Sequence, residues 1–108
     1  MEQHAKRRYA LQAEMFKALA HPMRIQLLEK LKEQPWCVCQ LADVVGIDKS
    51  VASKHLSQLK QAGLIEDEKR GTLVEYRLVA PCILEMAACA AGAVLENRRR
   101  HLAVSDDL

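Results

Sequence analysis

The run CQLADVVGIDKSVASKHLSQLKQAG, from Cys39 to Gly63, decides the fold. Leu41, Val44 and Val45 recur at the spacing of a short helix that buries one side. Gly46 then supplies a turn, because glycine adopts a positive backbone angle at little cost. Asp48 is placed to cap a second helix, although Val51 stands where a capping box would put an acid. From Lys49 to Ala62 the chain has two faces. Ala52, Leu56 and Leu59 lie on one; Ser50, Ser53, Lys54, Ser57, Gln58 and Gln61 lie on the other. A short helix, a glycine turn and a second helix with a small-residue polar face form a helix-turn-helix pattern. Bulky groups on that face would hold it out of a DNA major groove, whereas serine, glutamine and lysine reach base edges and phosphates.

Working outward, Gln3 to Ala20 reads as a helix, with Leu11, Met15 and Leu19 at helical spacing. His21-Pro22 ends it, since the residue before proline avoids helical angles. Proline suits the first position of the next helix, which runs to about Lys32 with Leu27, Leu28 and Leu31 inward and Arg24, Glu29, Lys30 and Lys32 mostly outward. Gln34-Pro35-Trp36 breaks the pattern. Beyond Gly63 the period changes to two: Val74, Tyr76 and Leu78 alternate with Glu75 and Arg77. Ile65 to Lys69 pairs with that strand through Arg70-Gly71, making a hairpin over residues 65–79. A last helix runs from about 81 to 100, and the stretch from Met86 to Val94 is rich in alanine. Such small side chains permit close approach by another helix. Ser105 to Leu108 is expected to fray. The fold class is therefore mainly α with a β-hairpin wing, a single winged helix-turn-helix domain spanning residues 1–108.

Composition narrows the class. Hydrophobic residues make up 50% of the 108 but aromatics only 4%, which favours an aliphatic helical core over a sandwich or barrel. No stretch has the length of a membrane span or signal sequence, so a cytoplasmic protein is expected. In that compartment the four cysteines are reduced thiols, ligands or sensors rather than structural disulfides. Net charge is only +2, yet Lys49 to Ile65 carries three lysines, a histidine and no acid. That local excess suits a polyanion. There is no Cys-x-x-Cys motif in a redox setting, no nucleophile–base constellation and no glycine-rich phosphate loop, so no enzyme is expected.

Two stretches resemble ArsR/SmtB-type winged-helix repressors: Ala18 to Leu28 (ALAHPMRIQLL) and Ser50 to Leu59 (SVASKHLSQL), the latter followed by Ala62-Gly63-Leu64-Ile65. The resemblance covers Phe16 to about Val79. It implies a homodimeric repressor of double-stranded operator DNA that leaves its site when an inducer binds. Dimer contacts would come from the first and last helices, about 3–20 and 81–100. The helix-turn-helix would span about 39–62. Carried over by position, the DNA-reading residues would be Ser50, Ser53, Lys54, His55 and Gln58, with Arg70 in the wing. His55 equally suits a structural or phosphate-facing role.

Cys37-Val38-Cys39 stands directly in front of the helix-turn-helix. Residues i and i+2 share a side only in extended backbone, so a common ligand requires that the chain here is not fully helical. Thiolates bind soft metals and metalloids and carry redox chemistry. The bland alternative is a pair of small apolar side chains in the core. Cys37 to Asp43 further resembles the cysteine-valine-cysteine box of arsenic- and antimony-responsive members and of relatives responding to cadmium or lead. The inducer implied is trivalent arsenic or antimony, with Cd(II), Pb(II) or Zn(II) as alternatives. Ala42 and Asp43 stand where a third cysteine often follows, leaving Cys82 and Cys89. Those two are seven residues apart, about two helical turns, and lie near one face. A three-sulfur site would take Cys37, Cys39 and Cys89 or Cys82; a four-sulfur site would suit zinc or cadmium. A thiol redox or persulfide switch on the same DNA reader is the competing input. The histidine-rich zinc or nickel site of some relatives is not expected, since the last helix carries only His101.

Overall fold

The computed structural model describes residues 2–106. Five helices and a small sheet follow in the order α1 (Glu2–Leu19), α2 (Pro22–Glu33), β1 (Trp36–Cys37), α3 (Val38–Val45), α4 (Lys49–Gln61), β2 (Ile65–Arg70), β3 (Leu73–Leu78) and α5 (Cys82–Asp106). This is the expected mainly helical winged helix-turn-helix. His21 leaves the helical region (φ −154°, ψ 127°) and its Nδ1 accepts from the Met23 amide at 3.0 Å, capping α2 with Pro22 at its first position. Gly46 takes φ 74° at the end of α3 and its amide donates to the Ala42 carbonyl at 2.8 Å, closing the turn of the helix-turn-helix. At the end of α4, the Gly63 amide donates to Lys60 O and the Leu64 amide to Leu59 O. With Gly63 at φ 80°, this is the paired-bond helix stop that glycine makes possible. Asp48 occupies the cap position of α4, but its side chain makes no capping hydrogen bond.

The core is a cluster of aliphatic side chains from every helix. Leu27, Leu28 and Leu31 of α2 meet Leu41 of α3, Leu56 and Leu59 of α4, Leu64 and Ile65 at the wing, and Ile83 and Leu84 of α5. Ala18 and Leu19 seal it from α1. Within α3, Leu41 and Ala42 are buried, but Val44 is exposed, contrary to the expected inward set.

A third strand was not expected. Its order in the sheet is β1-β3-β2, all antiparallel, with Trp36 opposite Tyr76 and Cys37 opposite Glu75. The Trp36 indole donates to Lys30 O at 3.0 Å, pinning β1 to α2. β3 is thus the middle strand, which accounts for the half-burial of Glu75 on a nominally outward position. α5 also outruns its expected end at about 100, continuing through Ser105 to Asp106; the expected fraying at Asp107 and Leu108 lies outside the described residues.

α1 and α5 project. In α1 only Ala18 and Leu19 are buried, and Leu11, Tyr9 and Phe16 are more than half exposed. From Ala88 to Leu102 every α5 residue is exposed, including Val94, Leu95 and Leu102. The radius of gyration is 17.4 Å, against about 13 Å for a compact chain of this length. The accessible surface, 8042 Å², exceeds the roughly 6,100 Å² of a compact monomer of this mass. No helix among the described residues is long and apolar enough to cross a membrane.

Candidate nucleic-acid interface and thiol site

Helix α4 carries Ala52, Leu56 and Leu59 into the core, and this fixes what its other side presents. Ser50, Ser53, Lys54, Ser57 and Gln58 are all exposed. The structure therefore brings four of the five helix residues assigned to DNA reading onto the open face of a helix that carries no acid. Gln58 also borders a groove of about 410 Å³ shared with Glu14, Lys17 and Arg24.

His55 departs from the expected reading face. It is half-buried, and its Nδ1 accepts from Arg24 Nε at 3.2 Å. Its ring lies 4.5 Å from that of His21, tilted by 54°. Burial, then the neighbouring His21 and Arg24, push its proton affinity below the ordinary imidazole range. This is the structural role allowed for His55 above. Arg24 also departs from its expected outward position: its Nη1 donates to Ala18 O at 3.1 Å, so one side chain joins α1, α2 and α4. The sequence carried a clue in the spacing, for Arg24 stands three and four residues before the buried Leu27 and Leu28.

The wing is held to α4 by Lys60, whose ammonium donates to Asp67 Oδ2 at 2.8 Å. That bond lowers the Asp67 proton affinity and raises that of Lys60. Across the hairpin Arg77 pairs with Glu66, and Arg70 reaches Glu75 at 3.0 Å and Glu68 at 3.9 Å. Arg70 is exposed at the wing tip as expected, but a DNA phosphate would have to compete with two carboxylates for its guanidinium. Lys69 beside it is exposed.

The thiols fall into two groups. Cys37 is buried in the two-residue strand β1, at φ −81° and ψ 160°, and serves as the cap residue of α3. Cys39 is exposed in the first turn of α3. The backbone is thus extended at Cys37 and becomes helical at Val38, the break from helix that a shared ligand requires. Cys82 and Cys89 are exposed free thiols on α5. Cys82 lines an apolar groove of about 440 Å³ between α1 and α5, with Met15, Phe16, Ile83 and Met86. Among the described residues of one chain, no three Cys, His, Asp or Glu side chains gather as a metal-binding group. The set Cys37, Cys39, Cys82 and Cys89 is not assembled within a single subunit.

Comparison with known proteins bears on this arrangement. Residues 21–67 match the family described as bacterial regulatory protein, arsR family, a span running from the Arg24 bridge through the first residues of the wing. The chain is 38% identical over 101 residues to the HTH-type transcriptional regulator Rv0081 of Mycobacterium tuberculosis, covering 93% of this chain and 89% of that protein. The chain belongs to the arsR family of bacterial regulatory proteins. As an arsR-family member it is a transcriptional regulator with a DNA-binding winged helix, not an enzyme. The crystal structure of Rv0081 superposes with a TM-score of 0.71 at 36% identity, covering 87% of this chain and 95% of that one. A homodimeric winged helix-turn-helix DNA-binding domain from Mycobacterium bovis superposes with a TM-score of 0.67 at 30% identity, covering 82% and 81%. The antimony-specific transcriptional repressor AntR superposes with a TM-score of 0.66 at 28% identity, covering 92% and 86%.

Proposed function

We propose that this arsR-family regulator is a cytoplasmic, homodimeric repressor that leaves its double-stranded operator when trivalent arsenic or antimony, or Cd(II), Pb(II) or Zn(II), binds its thiolates. The observation that carries the reading is the position of Cys37 and Cys39. They bracket the point where extended chain enters the helix-turn-helix, so a ligand held there acts on the first helix of the DNA reader. The antimony-specific AntR, similar over most of its length, supports the same class of inducer. A third sulfur would come from Cys89 or Cys82 of the partner subunit's α5. This fits the lack of a three-ligand group among the described residues of one chain and the uncovered surfaces of α1 and α5. Ser50, Ser53, Lys54 and Gln58 would read the groove, with Arg70 at the backbone.

Two reading helices must sit about one DNA turn, roughly 34 Å, apart, so a small change in dimer geometry suffices to release them. A coupling of about 1–3 kcal/mol is ordinary for such a switch. The test follows sulfur-to-metal absorption and operator release together in the four single cysteine-to-serine variants. Cys37→Ser and Cys39→Ser should keep DNA affinity and lose release. Normal release by Cys37→Ser would sink the ligand role of Cys37.

One observation favours a second input. Cys39, Cys82 and Cys89 are exposed free thiols, and a persulfide or disulfide switch needs only two of them. Release by a persulfide donor in the presence of a chelator, with a mass shift on those cysteines, would establish that reading instead.

A further inference from the structure

We propose that Arg24 is a positioning residue that fixes the reading helix α4 against the end of α1 through an acid-sensitive bond to His55. The inference rests on the assignment of α4 as the DNA reader and goes beyond it, because neither Arg24 nor an input from pH enters that reading.

The geometry is specific. Arg24 has donors only, so His55 must offer an unprotonated Nδ1 to the Nε–H at 3.2 Å. The neutral imidazole with its proton on Nε2 is the form that does so. The second arm of the same guanidinium is spent on Ala18 O at 3.1 Å, at the last turn of α1. One planar fork therefore ties the helix of the outer rod to the helix that faces DNA. His21 closes the cluster from the loop before α2, its own Nδ1 occupied by the Met23 amide. The charged groups acting on His55 are His21 and Arg24, and no carboxylate is among them. Glu14 and Lys17 of α1 line the adjoining groove with Arg24.

Acid breaks this bond. A solvent proton added at Nδ1 removes the acceptor and sets an imidazolium against the guanidinium and the His21 ring. The groups that act on His55 carry no negative charge to offset it, so α4 loses its tether to α1. The sign is diagnostic. An imidazolium facing DNA would strengthen binding as pH falls, through attraction to phosphate. Loss of the tether weakens it.

The full chain is tested on a duplex selected by the wild-type protein from a random-sequence pool, at constant ionic strength. Affinity is measured from about pH 8 down to about pH 5, the lower end of the histidine range, because His55 takes its proton below the ordinary imidazole value. Wild-type affinity should fall about fivefold or more on acidification, the lower end of ordinary allosteric couplings. His55→Gln, which keeps an acceptor but cannot take the proton, should flatten the profile. Arg24→Lys keeps the charge but lacks the rigid fork, and should bind more weakly at high pH with a flattened slope. Wild-type affinity that holds or rises in acid, or a full slope in His55→Gln, overturns the proposal. Two arms separate it from the docking assignment. Lys54→Ala should weaken binding at every pH with the slope kept; no effect there would refute the docking alone. NMR titration without DNA should show His55 taking its proton at higher pH in Arg24→Lys than in wild type, and identical titrations would refute the bridge whatever α4 does.

Discussion

The head of the molecule and its two rods obey different rules. In the head, α2, α3, α4 and the sheet close around leucines that are wholly buried, such as Leu27, Leu28, Leu41, Leu56 and Leu59. In the rods, the apolar residues of α1 and α5 meet solvent: Leu11, Phe16, Leu95 and Leu102 are all more than half exposed. Sequence periodicity reads the same way in both places. What differs is the supply of partners: the head finds its own within one chain, and the rods do not.

The sharpest way to break this contrast is to compare truncations. Leu56→Ala removes a fully buried side chain and should cost about 2–5 kcal/mol of unfolding free energy in a denaturant titration. Leu95→Ala, at an open position, should cost an isolated chain far less. Equal costs in the monomer would erase the distinction. Next comes a charge on the rod. Leu95→Glu should leave the far-ultraviolet dichroism of the head intact while shifting sedimentation to the monomer. Operator affinity should fall about a hundredfold, as expected when two linked reading heads become one. A dimer that survives this substitution would place the interface elsewhere. A smaller effect is expected on the head's outer face. Lys54→Ala should weaken binding to all sequences alike and lower the salt slope by about 0.9 if one phosphate contact is lost. The smallest effect belongs to the Lys60–Asp67 pair between head and wing. Its lowered Asp67 proton affinity adds stability above the ordinary carboxylate range, lost as acid protonates the folded form. Both partners are at the surface, so Asp67→Asn should shift a neutral-pH unfolding curve by no more than its error.

His55 adds a stability signature of its own. Its folded form resists protonation, so its contribution is complete above about pH 6.5. That contribution is lost as pH falls through the folded-state value, because the unfolded chain binds the proton first.

Much of this was legible in the residues. Pro22, Gly46 and Gly63 punctuate the helices where local backbone rules require it, and the change of period after Gly63 marks the wing. These are short-range signals. The features that were missed are long-range or too short to carry a period. β1 is two residues long, so Gln34-Pro35-Trp36 looked like a break and nothing more. Val44 sits on the apolar side by spacing, but α3 is short and the core is filled by Leu41 and Ala42. Arg24 and His55 are 31 positions apart, and no local pattern announces that they bond. The cysteines show the same limit: the box before α3 was visible, but which helix would complete it depends on how subunits pair.

The brief pairing of Cys37 with Glu75 has one more consequence. Cys37 belongs at once to the start of α3 and to the strand beside the central one of the sheet. Whatever pulls on its sulfur strains two levers, one leading through α3 toward α4 and the other out along β3 to the hairpin tip. Amide exchange along β3 is therefore a distant gauge of events at that sulfur, readable with no nucleic acid in the tube.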